Sequence, residues 1–309
     1  MLDTIELKIT PQMVSLKEWR EIESNFKVQS SHYYHDSSTE YRKRYLNNIN
    51  VTSSAKSYTI RGSLSKFLYE NNCYSLSYED IKTALRILED TLEIPLKKAK
   101  VTRIDFASNL LMKHPPECYI NHLLDIEGFN RFDNKSTLSF KGKNTEISFY
   151  NKVREKRNKF NAVPKAWKDE NILRYELRLK NNIDYIFETT VTVANLFDEG
   201  FYIQLWEKWA EMYYKIKTTQ KVYINLMNCN KPKDFEDQIL RFGYMAYGIA
   251  NALEDVKQLR QLKRFKNDYQ YSKLKAKING LVNQNVITPS NELINELDAK
   301  IEQAILYYR

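Results

Sequence analysis

A strict alternation of apolar and charged side chains in residues 173–180 limits the possible folds of this chain more than any other pattern in it. One face of an extended segment would carry Leu173, Tyr175, Leu177 and Leu179. The other face would carry Arg174, Glu176 and Arg178. A period of two is typical of a β-strand with one buried face. The chain is therefore predicted to contain a sheet that is apolar on one side and charged on the other.

Other segments show the same period and predict further strands of this sheet. They are residues 4–9, 58–61, 100–107, 137–140 and 146–150. The last two flank a short segment with Gly142 and Asn144, which favours a hairpin and hence antiparallel pairing. In residues 100–107 the alternation places Arg103 and Asp105 on the same face, away from Ile104 and Phe106.

Helical spacing predicts a helix over residues 78–93, which begins after Ser77 and ends before Pro95. A second helix is expected over residues 116–125. Beyond about residue 190 the apolar residues follow helical spacing. Trp206, Trp209, Tyr213 and Tyr214 are expected in the core rather than on a base-stacking surface. We predict a catalytic domain over residues 1–195 and a helical accessory or DNA-binding region over residues 196–309, with a linker at 225–233. The sequence shows no internal repeat.

Charge indicates a polyanionic partner. The 48 Lys and Arg residues exceed the 39 Asp and Glu residues, for a net charge of +9. Residues 141–180 hold 12 Lys and Arg against 5 Asp and Glu, so they supply most of the excess. Residues 257–277 hold 8 Lys and Arg against the single acid Asp268. This segment is predicted to be either a helix that contacts the phosphates of a nucleic acid or a solvent-exposed helix without that role.

Several classes of protein are disfavoured. Only 7 glycines occur, with neither a dinucleotide-binding fingerprint nor a phosphate loop, so a nucleotide-driven motor is not expected. The 3 cysteines are far apart, which fits a reducing compartment. The first residues alternate like a strand instead of a signal peptide, and no stretch approaches 18 apolar residues. We expect a cytoplasmic protein without membrane contact.

The residues suited to chemistry are carboxylates and a tyrosine. The 4 histidines form no metal-binding motif, whereas Asp105, Glu155 and Glu176 lie in or just after predicted strands, and oxygen ligands suit Mg²⁺ or Mn²⁺. Tyr150 and Lys152 would share a face if their strand continued. A phenol with a pKa near 10 becomes a nucleophile at neutral pH only when a cation, metal or base favours the phenolate.

Each of these residues also has a structural interpretation. Arg103 and Asp105 could form an ion pair on one strand face, and Arg174 and Glu176 could be solvated. Tyr150 could be an ordinary strand aromatic with its hydroxyl at the surface. These interpretations stay open from the residues alone.

Three segments, KVTRIDFASNL, TLSF followed by ISFYNKVREKR, and LRYELRLK, occur in an order that resembles the filamentous-phage gene II protein and related phage and plasmid rolling-circle replication initiators. The resemblance covers roughly residues 58–216 and is strongest between 100 and 180. The opening MLDTIELKI is similar to the first strand of that family. The resemblance implies an α+β fold, a largely antiparallel sheet with flanking helices like that of HUH nickases or replication initiators, followed by helices.

The resemblance also implies an activity: a metal-dependent endonuclease that nicks origin DNA by tyrosine attack, keeps the 5′ phosphate on the tyrosine and later rejoins the strand. Tyr150 would then be the nucleophile and Lys152 its electrostatic helper, and Asp105, Glu155 and Glu176 would hold Mg²⁺ or Mn²⁺. Expected partners are single- and double-stranded origin DNA, a host helicase and a second copy of the chain. The alternative is a non-catalytic DNA-binding replication or regulatory protein. The residues predicted to contact DNA are Arg103, Lys141, Lys143, Arg154, Arg157, Arg174, Arg178, Arg260, Lys263 and Arg264.

Overall fold

The structure is a computed structural model of the chain, and it describes residues 1–26, 30–33, 40–134, 136–158, 164–218, 229–283 and 292–308. These residues divide into two compact units. One comprises Met1–Thr218 with Glu296–Arg309, and the other comprises Thr219–Asn295. The fold is α+β with a large antiparallel sheet, flanking helices and a C-terminal helical region, as predicted.

Twelve strands occur in the described part of the chain. They are β1 Leu2–Ile9, β2 Ser30–Tyr33, β3 Glu40–Leu46, β4 Ile49–Ser54, β5 Ser57–Ser63, β6 Lys100–Met112, β7 Leu123–Asp125, β8 Asn130–Asn134, β9 Thr137–Lys141, β10 Thr145–Asn151, β11 Asn171–Lys180 and β12 Lys217–Thr218. Ten of these described strands form the large sheet, in the order β2-β3-β4-β5-β1-β6-β11-β10-β9-β8. Each neighbouring pair is antiparallel, so the predicted hairpin of β9 and β10 is confirmed.

The α-helices are distributed along the whole chain. In chain order they are α1 Leu16–Asn25, α2 Leu64–Tyr69, α3 Tyr78–Leu92, α4 Pro116–Ile120, α5 Lys152–Asn158, α6 Ile183–Phe187, α7 Val193–Leu196, α8 Glu199–Tyr214, α9 Pro232–Tyr247, α10 Ile249–Gln261, α11 Asp268–Asn283 and α12 Glu292–Tyr308. Helix α3 shows why these segments fold locally, because Ser77 and Asp80 form a capping box and the apolar positions Ile81, Leu85 and Leu88 are buried.

The strand order of the large sheet has an internal two-fold pattern, although the sequence shows no internal repeat. Each half follows the scheme strand, helix, four strands, helix, with β7 and α5 inserted in the second half. The central strands β1 and β6 pair through Ile5 and Ile104. A two-fold relation about that pair carries β1 onto β6, β5 onto β11, β4 onto β10, β3 onto β9 and β2 onto β8. We call strands β1–β5 the first half and strands β6 and β8–β11 the second half.

One face of the large sheet is covered by an aromatic core. Helix α8 brings Trp206 against Phe106, with ring centroids 4.7 Å apart, and Trp209 against Tyr175, at 4.5 Å. Tyr175 in turn stacks on Phe149 at 4.6 Å. Edge and offset stacking of buried rings stabilises such a core beyond its apolar area alone. The prediction that Trp206, Trp209 and Tyr213 are core residues is confirmed, but it is wrong for Tyr214, whose side chain is exposed.

The opposite face, here called the polar face, carries the charged side chains of the alternating strands. Glu6 pairs with Arg61 across β1 and β5, and Asp105 pairs with Arg178 across β6 and β11. The two-fold relation superposes these positions, since Glu6 and Asp105 each follow the Ile5–Ile104 pair by one residue. The charged side of the alternation in residues 173–180 therefore lies on this face.

The second unit is described by itself. In its described residues, α10 and α11 enclose a small core of Ala252, Val256, Tyr271 and Ile278. The basic segment 257–277 is not one helix, because α10 ends at Gln261 and α11 begins at Asp268. Lys263 lies between them with a φ of 49°, a left-handed conformation that interrupts a helix.

Two other local predictions differ from the structure. The helix expected over residues 116–125 ends at Ile120, because residues 123–125 form β7 and pair with β12. Residues 225–228 of the predicted linker lie outside the described residues, and its last two residues, 232 and 233, already belong to helix α9. Among the described helices, none combines the length and the apolar character that a membrane crossing requires.

Candidate active site

Tyr150 lies where strand β10 gives way to helix α5. It pairs with Thr137 on β9 and with Arg174 on β11, and it is half-buried on the polar face. Strand β10 ends at Asn151 and Lys152 is the first residue of α5. The strand therefore does not continue, and Tyr150 and Lys152 do not share a strand face. The helix instead turns Lys152 back over the tyrosine, with Nζ 5.6 Å from the ring centroid.

Acids and arginines alternate beside Tyr150 on the polar face, in an arrangement that we call the ion-pair row: Arg103, Asp105, Glu146, Arg174, Glu176 and Arg178. The Arg103 guanidinium binds Asp105 through Nε at 2.7 Å and through a second nitrogen at 2.5 Å. Arg178 donates to Asp105 at 3.1 Å and to Glu176 at 3.0 Å. The predicted structural interpretation of Arg103 and Asp105 as a same-face ion pair is thus what the structure shows.

Arg174 is the centre of this arrangement and is fully buried. It donates to Asn109 at 3.1 Å, to Glu176 at 3.4 Å and to Asp3 at short distance. Burial would raise the pKa of Asp3, but Arg174, the Ser63 hydroxyl, Lys152 and Asn72 together lower it. The buried guanidinium is thus neutralised by a carboxylate from the first strand, as a buried charge requires.

The Tyr150 hydroxyl has one acid within hydrogen-bonding distance in the described structure. It lies 3.4 Å from Oε2 of Glu176. Burial raises the pKa of Tyr150 well above its usual value; Arg174 opposes this effect, whereas Glu176 and Asp3 add to it. Burial also raises the pKa of Glu176, against the influence of Arg174. The phenol is therefore protonated near neutral pH and faces a carboxylate of increased basicity.

Lys152 is buried beside the tyrosine and bonds Glu155 at 2.9 Å. Burial, with a further contribution from Arg174, lowers the pKa of Lys152 to about 8, although Glu155 opposes the shift. Lys156, one turn further along α5, is buried as well. The helix thus buries two lysines, of which Lys152 lies over Tyr150.

The three carboxylates predicted to hold a metal ion are not brought together as a ligand set. Asp105 is occupied by Arg103 and Arg178, Glu176 contacts two arginines, and Glu155 bonds Lys152. Within the described ranges, no group of three or more His, Cys, Asp or Glu side chains is arranged to hold a metal ion. The carboxylates therefore do not fit a divalent ion in this arrangement, because their oxygens are already used by cationic partners.

The residues predicted to contact DNA fall into several groups. The exposed ones are Lys141, Lys143, Arg154, Arg260, Lys263 and Arg264. Arg103 and Arg178 are partly exposed and belong to the ion-pair row. Arg174 is buried and so does not lie on a DNA-facing surface. The side chain of Arg157 lies outside what the structure describes.

Comparison with known proteins identifies the family to which the chain belongs. A family model that describes the N-terminal part of the phage gene II replication-associated protein matches residues 1–199. The chain belongs to this family. The resemblance to the filamentous-phage gene II protein is thereby confirmed, and the protein is a phage replication-associated initiator whose family implies binding of origin DNA. No match was found among the curated proteins.

In this replication-associated protein, two residues of the site, Asp3 and Asn109, are not among the predicted site residues. Asp3 and Asn109 hold Arg174, yet Asp3 is 171 positions away from it in the chain. Asp3 lies where the register of β1 and β6 shifts between Leu2 and Thr4, and such a bulge re-aims a side chain. Alternation cannot identify a residue that departs from it. Glu146 accepts a hydrogen bond from Arg178 at 3.3 Å. The sequence indicates only that Glu146 is a charged residue of a predicted strand.

Proposed function

We propose that this protein initiates rolling-circle replication by nicking origin DNA with Tyr150, holding the 5′ phosphate as a phosphotyrosine and later rejoining the strand. The observation that carries the proposal is the approach of the Tyr150 hydroxyl to Glu176, beside the buried cations Arg174 and Lys152. Membership in a replication-initiator family supports nicking in general.

The chemistry assigned to each residue follows from these positions. The Tyr150 oxygen attacks the phosphorus of the scissile phosphodiester, and its proton passes to the Glu176 carboxylate. The bond from phosphorus to the 3′ oxygen breaks, the 3′ oxygen takes a proton from water, and Glu176 returns the tyrosine proton to the solvent, so that no net proton is gained or lost. Because the phosphotyrosine conserves the energy of the broken bond, a 3′ hydroxyl can later reverse the step without a nucleotide cofactor.

The buried cations make the departure of the tyrosine proton less costly. Arg174 acts against the rise in the Tyr150 pKa, so its charge stabilises the phenolate that develops during attack. Lys152 lies over the ring face, where a cation is attracted by the π electrons and more strongly once the ring carries negative charge. Asp3 and Asn109 hold Arg174 in place and so position it.

The requirement for Mg²⁺ or Mn²⁺ stays a prediction. No step above is assigned to a metal ion, because the arginines occupy the carboxylates that were expected to bind one. Adduct formation measured with Mn²⁺ and after chelation tests the requirement directly. A host helicase and a second copy of the chain likewise remain predicted partners.

The test is incubation of the protein with supercoiled DNA that carries the cognate origin. We expect a nicked circle with protein attached to the 5′ end, and we expect Tyr150→Phe to abolish the adduct while origin binding is unchanged. Tyr175→Phe, at a buried tyrosine on the opposite sheet face, is the control for loss of a hydroxyl. The rival, a non-catalytic DNA-binding protein of the same fold, predicts binding without a nick in every variant.

A further inference from the structure

The two-fold pattern of the large sheet implies that the active site has a counterpart in the first half. Under this relation Glu6 and Arg61 correspond to Asp105 and Arg178, and both pairs are ion pairs, at 3.6 Å and 3.1 Å. The same register carries Ser54 of β4 onto the position of Tyr150. The first half therefore keeps the polar face and one ion pair of the site but has no tyrosine at the position of the nucleophile.

This counterpart is an open groove rather than a covered surface. A cavity of about 410 Å³ lies on the polar face of the first half. Its lining includes Glu6, Lys43, Tyr45, Thr52, Thr59 and Arg61. These side chains come from β1, β3, β4 and β5, and the strand registers place them on one face. The first half thus presents hydroxyl groups and cations together.

The chemistry of this groove suits a nucleic-acid strand. Lys43 and Arg61 supply two positive charges against the one negative charge of Glu6, and the Arg61 side chain is 53% exposed. Tyr45 is 48% exposed although it stands on a sheet, where large aromatics usually pack. A flat aromatic next to cations is the combination on which unpaired bases stack while phosphates are neutralised.

The other end of the polar face shows the same combination. Phe132 on β8 is 51% exposed, and Lys141 on β9 lies over its ring at 5.0 Å. An exposed aromatic with a cation therefore flanks the ion-pair row on both sides. Strand β3, which carries Tyr45, and strand β10, which carries Tyr150, are six inter-strand spacings apart, about 29 Å at about 4.8 Å each. This distance lies within the reach of the roughly 4–16 nucleotides that single-strand sites commonly cover.

We propose that the first-half groove is a second, non-catalytic binding site for the unpaired origin strand, which crosses the polar face from Tyr150 to Tyr45. The inference rests on the proposed function, because it takes the Tyr150 site as the place where that strand is cut. Tyr45 stacks on a base, and Lys43 and Arg61 contact phosphates. In this proposal the second half of the sheet cuts the DNA strand and the first half binds it.

The test compares oligonucleotides of two lengths on the full chain. A short single strand covers the nick site alone, and two longer ones extend it by about ten nucleotides on its 5′ or its 3′ side. For the wild-type protein, we expect one of the two extensions to tighten binding by at least tenfold. Tyr45→Ala combined with Lys43→Ala should remove that gain and leave the affinity for the short strand unchanged. Arg61→Ala should lower the salt dependence of binding to the extended strand by about one phosphate contact.

A matched control uses Lys17→Ala combined with Tyr185→Ala, an exposed lysine and an exposed tyrosine on helices α1 and α6. This pair should keep the full gain. The inference is overturned if neither extension tightens binding of the wild-type protein, or if the Lys43 and Tyr45 variant keeps the gain. These binding measurements do not depend on cleavage. A surviving adduct in Tyr150→Phe would therefore refute the nucleophile assignment separately.

Discussion

Among single residues, Glu176 is the proposed acceptor of the Tyr150 proton. Glu176→Gln keeps the size of the side chain and its contact with Arg178 but cannot accept a proton as a carboxylate does. We expect adduct formation to slow by about 10²–10⁴-fold, the usual contribution of a general base, with little change in origin binding. Single-turnover adduct formation on gels measures the rate. A Gln variant that reacts at the wild-type rate would show that another group accepts the proton.

Lys152 should give the reaction an alkaline limit. Burial lowers its pKa to about 8, so the ammonium is present below that pH and is lost above it. If its charge stabilises the phenolate, adduct formation falls as the pH rises through about 8. Lys152→Met should react more slowly at neutral pH and should lack this alkaline fall. Rate profiles of both proteins between pH 6 and about 10 test the assignment.

The same lysine should influence folding in the opposite direction. Its pKa in the folded state is lower than the value of about 10.4 for an unfolded lysine. The unfolded chain therefore binds more protons between about pH 8 and pH 10.4, and the contribution of Lys152 to the free energy of unfolding rises with pH there. Activity that falls above pH 8, while the free energy of unfolding measured by urea denaturation does not fall, would separate the chemical effect of Lys152 from unfolding.

Among the secondary structure elements, strands β4 and β5 depend on Gly62 for their close approach. A Cβ atom at this position would lie 2.6 Å from the Asn48 carbonyl oxygen and 2.9 Å from Cα of Ile49. Backbone atoms cannot move aside cheaply, so Gly62→Ala should lower the free energy of unfolding by about 1–3 kcal/mol. Gly243→Ala on helix α9, where an added Cβ atom would meet no described atom within 4 Å apart from its chain neighbours and the helix backbone, is the control and should not destabilise the protein. Urea denaturation of both variants measures the difference.

The elements also show how far the sequence alone could lead. Strict alternation predicted strands β1, β6, β9, β10 and β11 and the polar face, because period two is a local property that burial enforces on each strand. Alternation could not give the strand order. The pairing of β1 with β6 joins residues about 100 positions apart, and it is this pairing that brings Asp3 to Arg174.

The sequence predicted several residues of the candidate site but not the ion pairs between them. Tyr150, Glu176 and Asp105 were identified from short motifs and lie near one another on the polar face. The sequence suggested a metal ion between the acids, whereas the structure places arginines there, because the alternating charges of residues 173–180 pair with acids on both neighbouring strands. Whether a side chain on such a face meets a metal or an arginine depends on cross-strand register.

For the molecule as a whole, the second unit is expected to add affinity for DNA without choosing its sequence. Its turn between α10 and α11 exposes Lys263, Arg264 and Lys266, whereas Arg260 is paired with Asp268. Replacing the three exposed residues by Ala should weaken binding to origin and unrelated DNA alike. The slope of the logarithm of the binding constant against the logarithm of the salt concentration should become less steep by about 0.9 for each lost phosphate contact. Lys17→Ala with Lys97→Ala, on exposed lysines of the first unit, should have a smaller effect.

The proposed reaction requires that a tyrosine at the end of strand β10 becomes covalently attached to the nicked strand. Mass spectrometry of the peptide that remains linked to DNA after origin cleavage and proteolysis identifies the attached residue directly. We expect the 5′-phosphate-linked nucleotide on Tyr150, although the chain contains 22 tyrosines. A linkage at any other residue, or a nick made without attached protein, would refute the proposed reaction.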